Sequence, residues 1–459
     1  MFQIMLDEII EAIGGKYTGD AGGAVITGVS TDSRTIRPGD IFIPLIGENF
    51  DGHDFIGDAF EKGAAASLTH RKSVNFPGKT VILVNDTLKA LQDLAACYRK
   101  SFDIPFIGVT GSVGKTSTKE MVACAIGARY NVLKNEGNLN NEIGVPLTMF
   151  RLDGSHEAAV VEMGMSAPGE IRVLSAIVRP RVGIITNIGM SHIEKMGSRS
   201  NILKAKLEIL EGLQPGGLLV LNGDDIMLSG AQSLLDCRTV TYGLGEGVDY
   251  MAYNIRSYGE NGVKFDIMDE GVEYCIHVPA PGIHNVYNAL AAIAAGRELG
   301  VPVKELASGI ACYRPGEMRL NIIKTGGFTV INDAYNASPH SVKAALEVLG
   351  ELAAERKIAV LGDMLELGEW SSSAHKETGG YAAGKKLDYI VTVGRRALDI
   401  AGGAVEAGFA PEKTASFMSN AEALDYLKRV IRPGDAILVK GSRGMKMEEI
   451  VLALTGEER

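Results

Sequence analysis

A glycine-rich segment near residue 110 carries the most specific chemical pattern in the chain. It has the sequence GVTGSVGKTS from Gly108 to Ser117, and it joins the apolar run IPFIGVTG to a segment with helical periodicity. In this context glycines let backbone amides surround phosphate oxygens, Lys115 places a positive charge at the β and γ phosphates, and the Thr116 hydroxyl suits Mg²⁺. Val109 stands where the strict pattern has glycine, and a plain glycine turn is the alternative. The context favours an ATP-binding phosphate loop, and no guanine-reading Asn-Lys-x-Asp string occurs.

Three more residues with possible chemistry lie in the segments that follow. Glu162 ends the apolar run AAVVEMG, and His192 comes after the run VGIITNIG. The carboxyl ends of parallel strands face the crevice in which nucleotides bind, so both are candidate Mg²⁺ ligands. A capping or solvated role is an equal alternative for Glu162 and the more common one for a lone histidine. Lys206, in KAKLEILEGL, has the position of an ordinary surface lysine on an amphipathic helix.

The elements that position these residues are predicted from apolar runs alternating with helical segments. Strands are expected at AAVVEMG, VGIITNIG and LLVLNGDD, and later at FTVIND, KIAVLGD, DYIVTVG and AILVKG. This alternation predicts parallel sheets covered by helices, interrupted by an antiparallel insertion at VKFDIMDEGVEYCIHV. We therefore expect an α/β protein with domains at residues 1–100, 101–313 and 314–459.

Composition limits the class of protein. A chain of 459 residues is too long for one core, and its 46% apolar and 22% charged residues exclude a disordered chain. The net charge of −10 disfavours a nucleic-acid partner, and five scattered cysteines predict reduced thiols in a cytoplasmic protein. The N-terminal MFQIMLDEIIEAIGG predicts a first helix rather than a signal peptide, and no apolar stretch is long enough for a membrane span.

Together these motifs resemble those of the Mur ligases, from about residue 1 to residue 455. The resemblance is carried by DSR (32–34), GENFDGHDF (47–55), TGSVGKTS (110–117), NLNNEIGVP (138–146), VEMGM (161–165), NIGMSH (187–192), KAKLE (204–208), GIHNVYNAL (282–290), DAYNASPHS (333–341), LGDMLELG (361–368) and KGSRGMKME (440–448). It implies a small α/β UDP-binding domain, a central phosphate-loop domain with a parallel sheet, and a C-terminal Rossmann-like domain that binds an incoming dipeptide.

The resemblance also implies the site residues. Those for ATP are Gly111, Ser112, Gly114, Lys115, Thr116, Ser117, His284, Asn285, Asn288, Arg319 and Asp333. Those for two Mg²⁺ ions are Thr116, Glu162, His192 and Lys206, and Lys206 would be carbamylated by CO₂. Those for substrates are Ser30, Asp32, Ser33 and Arg34 at the UDP group, Asn138 and Asn141 along the muramoyl-peptide path, and Tyr335, Asn336, Lys440, Ser442 and Arg443 at the dipeptide. Lys115, His192, Lys206 and Arg319 would serve catalysis directly.

The implied reaction is ATP-dependent ligation of D-alanyl-D-alanine to UDP-N-acetylmuramoyl-tripeptide through an acyl phosphate, by a monomer. A sister ligase that adds lysine or diaminopimelate is the nearest alternative; the absence of an Asp-Asn-Pro-Arg string and the presence of YNASP favour the dipeptide. A phosphate-loop NTPase without ligase activity is a further alternative. Two departures from the family pattern are Asn332, where a second acid often stands, and Glu317 close before Arg319.

The segment Gly243-Leu-Gly245-Glu-Gly247 is the one hint of a dinucleotide-dependent oxidoreductase. It lacks the Gly-x-Gly-x-x-Gly spacing of that class, which has a specific glycine for each of three backbone constraints. The sequence therefore predicts a polar loop here.

Overall fold

The computed structural model describes residues 3–19, 23–74 and 76–456. The predicted N-terminal helix is present as Leu6–Ile13, whereas Met1 and Phe2 at the start of that prediction lie outside the described residues. Ile4–Met5 form a short strand instead, antiparallel to Val25–Ile26. Helical periodicity does not report a pairing with a distant segment, which explains the difference.

The N-terminal part contains a five-stranded sheet with the order β2-β7-β6-β5-β4, parallel except at the β2 edge. Its elements are β1 (Ile4–Met5), α1 (Leu6–Ile13), β2 (Lys16–Thr18), β3 (Val25–Ile26), β4 (Gly28–Ser30), β5 (Asp40–Phe42), α2 (Ile56–Glu61), β6 (Ala66–Thr69), β7 (Thr80–Leu83) and α3 (Thr87–Arg99). Asp86 caps α3 by accepting from the backbone N–H groups of Leu88 and Lys89, which satisfies two donors at the helix start.

The middle part contains a seven-stranded parallel sheet with the order β14-β13-β12-β11-β8-β10-β9 and a three-stranded antiparallel sheet β15-β16-β17. Its elements are β8 (Phe106–Thr110), α4 (Lys115–Ile126), β9 (Val132–Lys134), α5 (Gly144–Met149), β10 (Ala158–Glu162), α6 (Glu170–Val178), β11 (Val182–Ile185), α7 (Ile193–Met196), α8 (Arg199–Leu207), β12 (Leu218–Asn222), α9 (Ile226–Gln232), β13 (Arg238–Gly243), β14 (Tyr250–Met251), β15 (Tyr253–Ser257), β16 (Val263–Asp269), β17 (Val272–Val278), α10 (Ile283–Glu298) and α11 (Val303–Ile310).

The C-terminal part contains a six-stranded sheet with the order β18-β19-β23-β20-β21-β22, parallel except for β18. Its elements are β18 (Asn321–Lys324), β19 (Thr329–Asp333), α12 (Pro339–Glu351), β20 (Arg356–Gly362), α13 (Ser371–Ala383), β21 (Tyr389–Val393), α14 (Leu398–Glu406), β22 (Thr414–Phe417), α15 (Asn420–Val430), β23 (Asp435–Lys440) and α16 (Glu448–Thr455). The doubly wound pattern predicted for this part is present.

The order of strands in the middle sheet decides where the polar motifs meet. Every residue of β8 and β10 is buried, as expected for strands covered by helices on both faces. Because β11, β8 and β10 are neighbours and parallel, the segments that follow them emerge at one edge of the sheet. On one face of that sheet the alanine-rich α10 packs beside α4 in a single apolar cluster.

The three large sheets occupy residues 16–83, 106–251 and 321–440. The domain boundaries at residues 100 and 313 stay predictions. In the part of the chain that the structure describes, no helix combines the length and the apolar character needed to cross a bilayer.

Candidate active site

The phosphate loop lies between β8 and α4, as the sequence predicts. Gly111 and Gly114 have φ values of 149° and 85°, in the region that favours glycine. A Cβ atom on Gly111 would lie 1.9 Å from the Thr186 hydroxyl oxygen, so this position has no room for a side chain. Asn187 fixes the loop from β11: its carbonyl accepts from Ser112 N at 3.0 Å, and its Oδ1 accepts from Val113 N at 3.0 Å. The first N–H groups of α4 therefore open toward the cleft from a fixed loop.

Lys115 lies at the start of α4. Its ammonium donates to the Gly111 carbonyl at 2.9 Å. Burial lowers the pKa of Lys115 from its ordinary value, an effect that the nearby Glu162 carboxylate opposes. Lys115 Nζ also lies 3.5 Å from the Ser112 carbonyl oxygen. A cation bonded to backbone carbonyls can turn to a phosphate oxygen without breaking an ion pair.

Glu162, at the end of β10, is 2% exposed and is oriented by two asparagines. The Asn135 side chain makes two hydrogen bonds to the Glu162 backbone. Asn135 Oδ1 accepts from Glu162 N at 2.9 Å, and Asn135 Nδ2 donates to the Glu162 carbonyl at 3.0 Å. Asn140 Nδ2 donates to Glu162 Oε1 at 2.7 Å. The other oxygen, Oε2, is buried and has no hydrogen-bond partner among the described residues. A buried, unpartnered carboxylate oxygen fits a hard cation.

His192 and Lys206 provide the other predicted metal ligands. His192 has a left-handed φ of 61°, and its Nδ1 lies 2.6 Å from Glu366 Oε2 of the C-terminal part. Burial lowers the pKa of His192, and Glu366 opposes this. Lys206 on α8 is 2% exposed, not a surface lysine as its helical pattern alone indicated. Burial, and secondly Lys115, lower the pKa of Lys206 well below its ordinary value, which favours the neutral amine.

Within the described residues no group of three or more His, Cys, Asp or Glu side chains is placed to bind a metal. A metal centre here must therefore use a different set of donors. The residues present fit one ion at Glu162 and Thr116, where the unpartnered Oε2 lies on the edge of the cleft. They fit a second only if Lys206 gains oxygen atoms, because an amine is a poor ligand for Mg²⁺.

The predicted asparagines on α10 are largely occupied by contacts within the protein. Asn285 Nδ2 donates to the Pro281 carbonyl at 2.8 Å, and Asn288 Nδ2 donates to Asn285 Oδ1 at 3.1 Å. Asn288 Oδ1 accepts from Thr118 Oγ1 at 2.9 Å, which fastens α10 to α4. His284 Nδ1 is buried with no partner among the described residues, and burial lowers the pKa of His284 to about 4.

The C-terminal part contributes a cation and a buried ion pair. The Arg319 guanidinium lies 4.0 Å from the ring centre of Tyr335, close enough for a cation–π contact. Asp333 Oδ2 lies 2.5 Å from Lys440 Nζ, and Oδ1 accepts from Leu320 N at 3.2 Å. Burial raises the pKa of Asp333, and Lys440 opposes this rise. Asp333 thus holds the backbone directly after Arg319.

Most predicted residues meet around one cleft of about 460 Å³ between the middle and C-terminal parts. The predicted residues that line it are Ser112, Gly114, Lys115, Thr116, Ser117, Asn141, Glu162, His192, His284, Asn285, Asn288, Arg319, Asp333, Tyr335, Asn336 and Lys440. A smaller pocket of about 160 Å³ shares Lys115 and His192 with it and is also lined by Ser442 and Arg443.

The remaining predicted residues lie elsewhere. Gly111 and Lys206 line neither cavity, and neither does the exposed Asn138. The segment Ser30–Arg34 forms a turn in the N-terminal part, where Arg34 contacts both carboxylate oxygens of Asp32 at 2.9 and 2.7 Å. These hydrogen bonds lower the pKa of Asp32 to about 2. Neither cavity reaches this turn.

Several residues with clear contacts at the site were missed from the sequence, namely Asn135, Asn140, Asn187, Tyr287 and Glu366. Asn140 stands between the predicted Asn138 and Asn141, and nothing in an irregular loop tells which asparagine faces the sheet edge. Glu366 lies in the motif LGDMLELG, so the motif was recognised but its partner was not.

Family models for the three parts of a known enzyme family match this chain in order. They are described as "Mur ligase family, catalytic domain" at residues 25–99, "Mur ligase middle domain" at 109–296, and "Mur ligase, glutamate ligase domain" at 318–443. Together they cover more than half of the chain.

The chain belongs to the Mur ligase family. Among the similar Mur ligases, the UDP-N-acetylmuramoyl-tripeptide--D-alanyl-D-alanine ligase of Bacillus subtilis is 46% identical over 430 residues, which is 93% of each chain. A crystal structure of MurF from Acinetobacter baumannii has a TM-score of 0.91 at 31% identity and covers 99% of both chains. The MurF ligase of Thermotoga maritima in complex with ADP has a TM-score of 0.83 at 29% identity, covering 94% of this chain and 97% of its own.

These findings confirm the family resemblance and the α/β class with three parts that the sequence predicted. They also make this Mur ligase an ATP-dependent ligase. The individual residue roles stay predictions, supported here by their positions around the cleft.

Proposed function

We propose that this Mur ligase joins D-alanyl-D-alanine to UDP-N-acetylmuramoyl-tripeptide and splits ATP to ADP and phosphate, a step of peptidoglycan precursor synthesis. One observation carries the proposal: a phosphate loop, a buried carboxylate and cations from two parts of the chain surround a single cleft. The chain is 46% identical to the UDP-N-acetylmuramoyl-tripeptide--D-alanyl-D-alanine ligase of Bacillus subtilis, which supports the choice of substrates.

The cleft suits activation of a carboxylate. The tripeptide's terminal carboxylate oxygen attacks the γ phosphorus, the bond to the bridging oxygen breaks, and ADP leaves. The product is an acyl phosphate, whose leaving group is far better than oxide. The amine of the dipeptide then attacks the acyl carbon, loses a proton, and expels inorganic phosphate from the tetrahedral intermediate. Lys115 and Arg319 lie where negative charge develops on the transferred phosphoryl group.

Mg²⁺ would be held by Thr116 and Glu162, with a second ion at His192 and a carbamate of Lys206. Such ions neutralise phosphate charge during transfer. The Lys206 pKa, lowered well below its ordinary value, supports the carbamate, because only a neutral amine attacks CO₂. Carbamylation turns a neutral amine into an anion with two oxygen donors, which is the ligand class that Mg²⁺ prefers.

The two substrates would reach the cleft from opposite sides. On the acceptor side Tyr335, Asn336 and Lys440 line the main cleft, and Ser442 and Arg443 line the smaller pocket that joins it at Lys115. On the donor side Asn141 lines the cleft, and we place Asn138 further along the same path. The exposed turn of Ser30, Asp32, Ser33 and Arg34 would bind the UDP group. A monomer in the cytoplasm stays a prediction.

Phosphate release tests the function directly. Purified enzyme with ATP and UDP-N-acetylmuramoyl-tripeptide is expected to release phosphate with D-alanyl-D-alanine, and little with D-alanine or L-lysine. Lysine- and diaminopimelate-containing tripeptides are compared in parallel. Turnover with a single amino acid and none with the dipeptide would identify a sister ligase. ATP turnover that needs no amine would identify an NTPase.

A further inference from the structure

Asp224 is an exposed carboxylate, held by three hydrogen bonds, that the proposed reaction does not use. It follows β12 in the sequence NGDD, and three donors converge on its carboxylate. Oδ2 accepts from the Leu244 backbone N–H at 2.6 Å and from the Tyr287 hydroxyl at 2.7 Å. Oδ1 accepts from the Gly245 N–H at 3.0 Å. A carboxylate with this many donors is fixed in one orientation, and each charge-assisted bond is stronger than a neutral one.

The glycine segment after β13 is shaped around this carboxylate. A Cβ atom on Gly243 would lie 2.7 Å from Asp224 Cγ, and one on Gly245 would lie 2.7 Å from Asp224 Oδ1. Neither position has room for a side chain while the carboxylate is in place. The segment from Gly243 to Gly247, predicted to be a polar loop, therefore surrounds the Asp224 carboxylate and does not form a phosphate site.

The third donor, Tyr287, belongs to the wall of the cleft. It lies on α10 three residues after His284, so these two side chains share one face of the helix, and both line the cleft together with Asn288. The cleft is also lined by Asn222, Tyr242 and Pro281. Asn288 bonds to Thr118 of the phosphate-loop helix, so this aromatic face lies next to the phosphate site.

Tyr287 is held in one position although its side chain is partly exposed. Burial and the Asp224 carboxylate raise the pKa of Tyr287 above its ordinary value, so its hydroxyl stays a donor at any working pH. A fixed ring loses little conformational entropy when a ligand stacks on it, which improves affinity without any new contact.

We propose that Asp224 is a positioning residue for the nucleotide: it fixes Tyr287 as an aromatic wall for the purine base of ATP. Asp224 acts through the tyrosine and does not touch the nucleotide. The proposal rests on the proposed ATP site in this cleft and names which residues set its affinity for the base.

Two variants test the proposal. Tyr287→Phe keeps the ring and removes its hydrogen bond, whereas Asp224→Ala removes the anchor. Each is expected to raise the Kd and the KM for ATP about five- to tenfold, in line with the typical net contribution of one hydrogen bond. Turnover at saturating ATP is expected to fall by less than about twofold, since the phosphate loop is unchanged.

The double variant and a base-free ligand distinguish positioning from general damage. If the two residues act through one bond, Asp224→Ala with Tyr287→Phe is no weaker than the worse single variant. Inhibition by inorganic tripolyphosphate, which lacks a base, is expected to match the wild type in every variant. Additive losses, or an equal loss of tripolyphosphate binding, overturn the proposal. Wild-type ATP affinity in Tyr287→Phe also overturns it.

Tyr253→Phe is the matched control, because Tyr253 donates to the Glu273 carboxylate at 3.0 Å on the antiparallel sheet outside the cleft. It is expected to bind ATP as the wild type does. The proposed function is tested separately by product formation in the wild type. If the wild type ligates its substrates and Tyr287→Phe binds ATP normally, the positioning role alone fails.

Discussion

Burial changes the chemistry of individual side chains in this protein. Lys206 has the sequence position of a solvated lysine, yet it is 2% exposed and its pKa is well below the ordinary value. His284 is similarly held neutral, with a pKa of about 4. The same physical cause, removal of a cationic group from water, favours the neutral amine of Lys206 and the neutral ring of His284.

Lys206→Ala is expected to lower ligation by roughly a hundredfold or more, as the loss of a group that stabilises transition-state charge does. Short carboxylic acids are expected to restore part of the activity by supplying the missing oxygen donors. Carbon-13 NMR with labelled bicarbonate is expected to show a carbamate signal in the wild type that this variant lacks. Lys204→Ala, an exposed lysine of the same helix, serves as the control. Full activity in Lys206→Ala would refute the carbamate.

His284 predicts a specific pH dependence of stability. In the unfolded chain it takes up a proton near pH 6.5, whereas in the folded chain it stays neutral down to about pH 4. The stability it contributes is therefore fully present above pH 6.5 and is lost as the pH falls toward 4, by at most about 3 kcal/mol. Urea unfolding is expected to show a shallower fall over this window in His284→Gln. Parallel curves would contradict the assignment.

At the scale of elements, two connections from different sheets meet at His192. The segment after β11 provides His192, and the segment after β20 provides Glu366, with φ values of 61° and 62°. Besides the 2.6 Å contact between His192 Nδ1 and Glu366 Oε2, Glu194 N donates to the Glu366 carbonyl at 3.4 Å. Left-handed backbone at two non-glycine residues costs energy, which the contact between the two parts offsets. The orientation of His192 thus depends on the position of the C-terminal part.

Glu366→Gln is expected to lower kcat/KM for the acceptor about tenfold, a size typical of losing a group that orients a ligand side chain. ATP affinity is expected to stay close to the wild type, because Glu366 lines only the smaller pocket. Initial rates at varied dipeptide concentration measure the effect. Glu369→Gln, an exposed residue of the same segment, provides the comparison. Equal rates in both variants would remove the proposed role of Glu366.

The predictability of the elements follows the range of the interactions that form them. The sequence predicted β8, the phosphate loop and α4, and also the β16–β17 hairpin, because their signals are local periodicity and glycine spacing. It did not predict the strand Ile4–Met5, the contact of Glu366 with His192, or the hydrogen bond from Asn140 to the Glu162 carboxylate. Each of these depends on a partner from a distant segment, and composition and periodicity carry no signal for that. The surface position favoured for Lys206 was wrong for the same reason.

At the scale of the molecule, the cleft is complete only where the middle and C-terminal parts face each other. Arg319 follows the helix α11 that ends the middle part and stacks on Tyr335 of the C-terminal part. Met318 and Leu320 on either side have φ values of 55° and 52°. Asp333 secures this turn from β19. The position of Arg319 therefore reports how the two parts are arranged.

Arg319→Ala is expected to lower kcat about a thousandfold, as loss of an arginine that stabilises a transferred phosphoryl group does. The Kd for ATP is expected to change only a few-fold, because the phosphate loop still binds the nucleotide. Single-turnover phosphate release measures the rate of the reaction, and calorimetry measures the Kd for ATP. Arg314→Ala, whose exposed side chain bonds to the Tyr313 carbonyl, is the control. A large loss of ATP affinity with unchanged kcat would contradict this role.

The turn at Ser30–Arg34 follows a strand of a different sheet from the one that leads into the phosphate loop, and neither cavity reaches it. A substrate held at this turn by its uridine end must extend across the molecule before its other end meets the phosphate loop. If the UDP group binds at this turn, the distance from the turn to the phosphate loop would limit the length of stem peptide that the enzyme accepts. Such an enzyme would distinguish precursors from different stages of wall assembly by length rather than by contacts with each side chain.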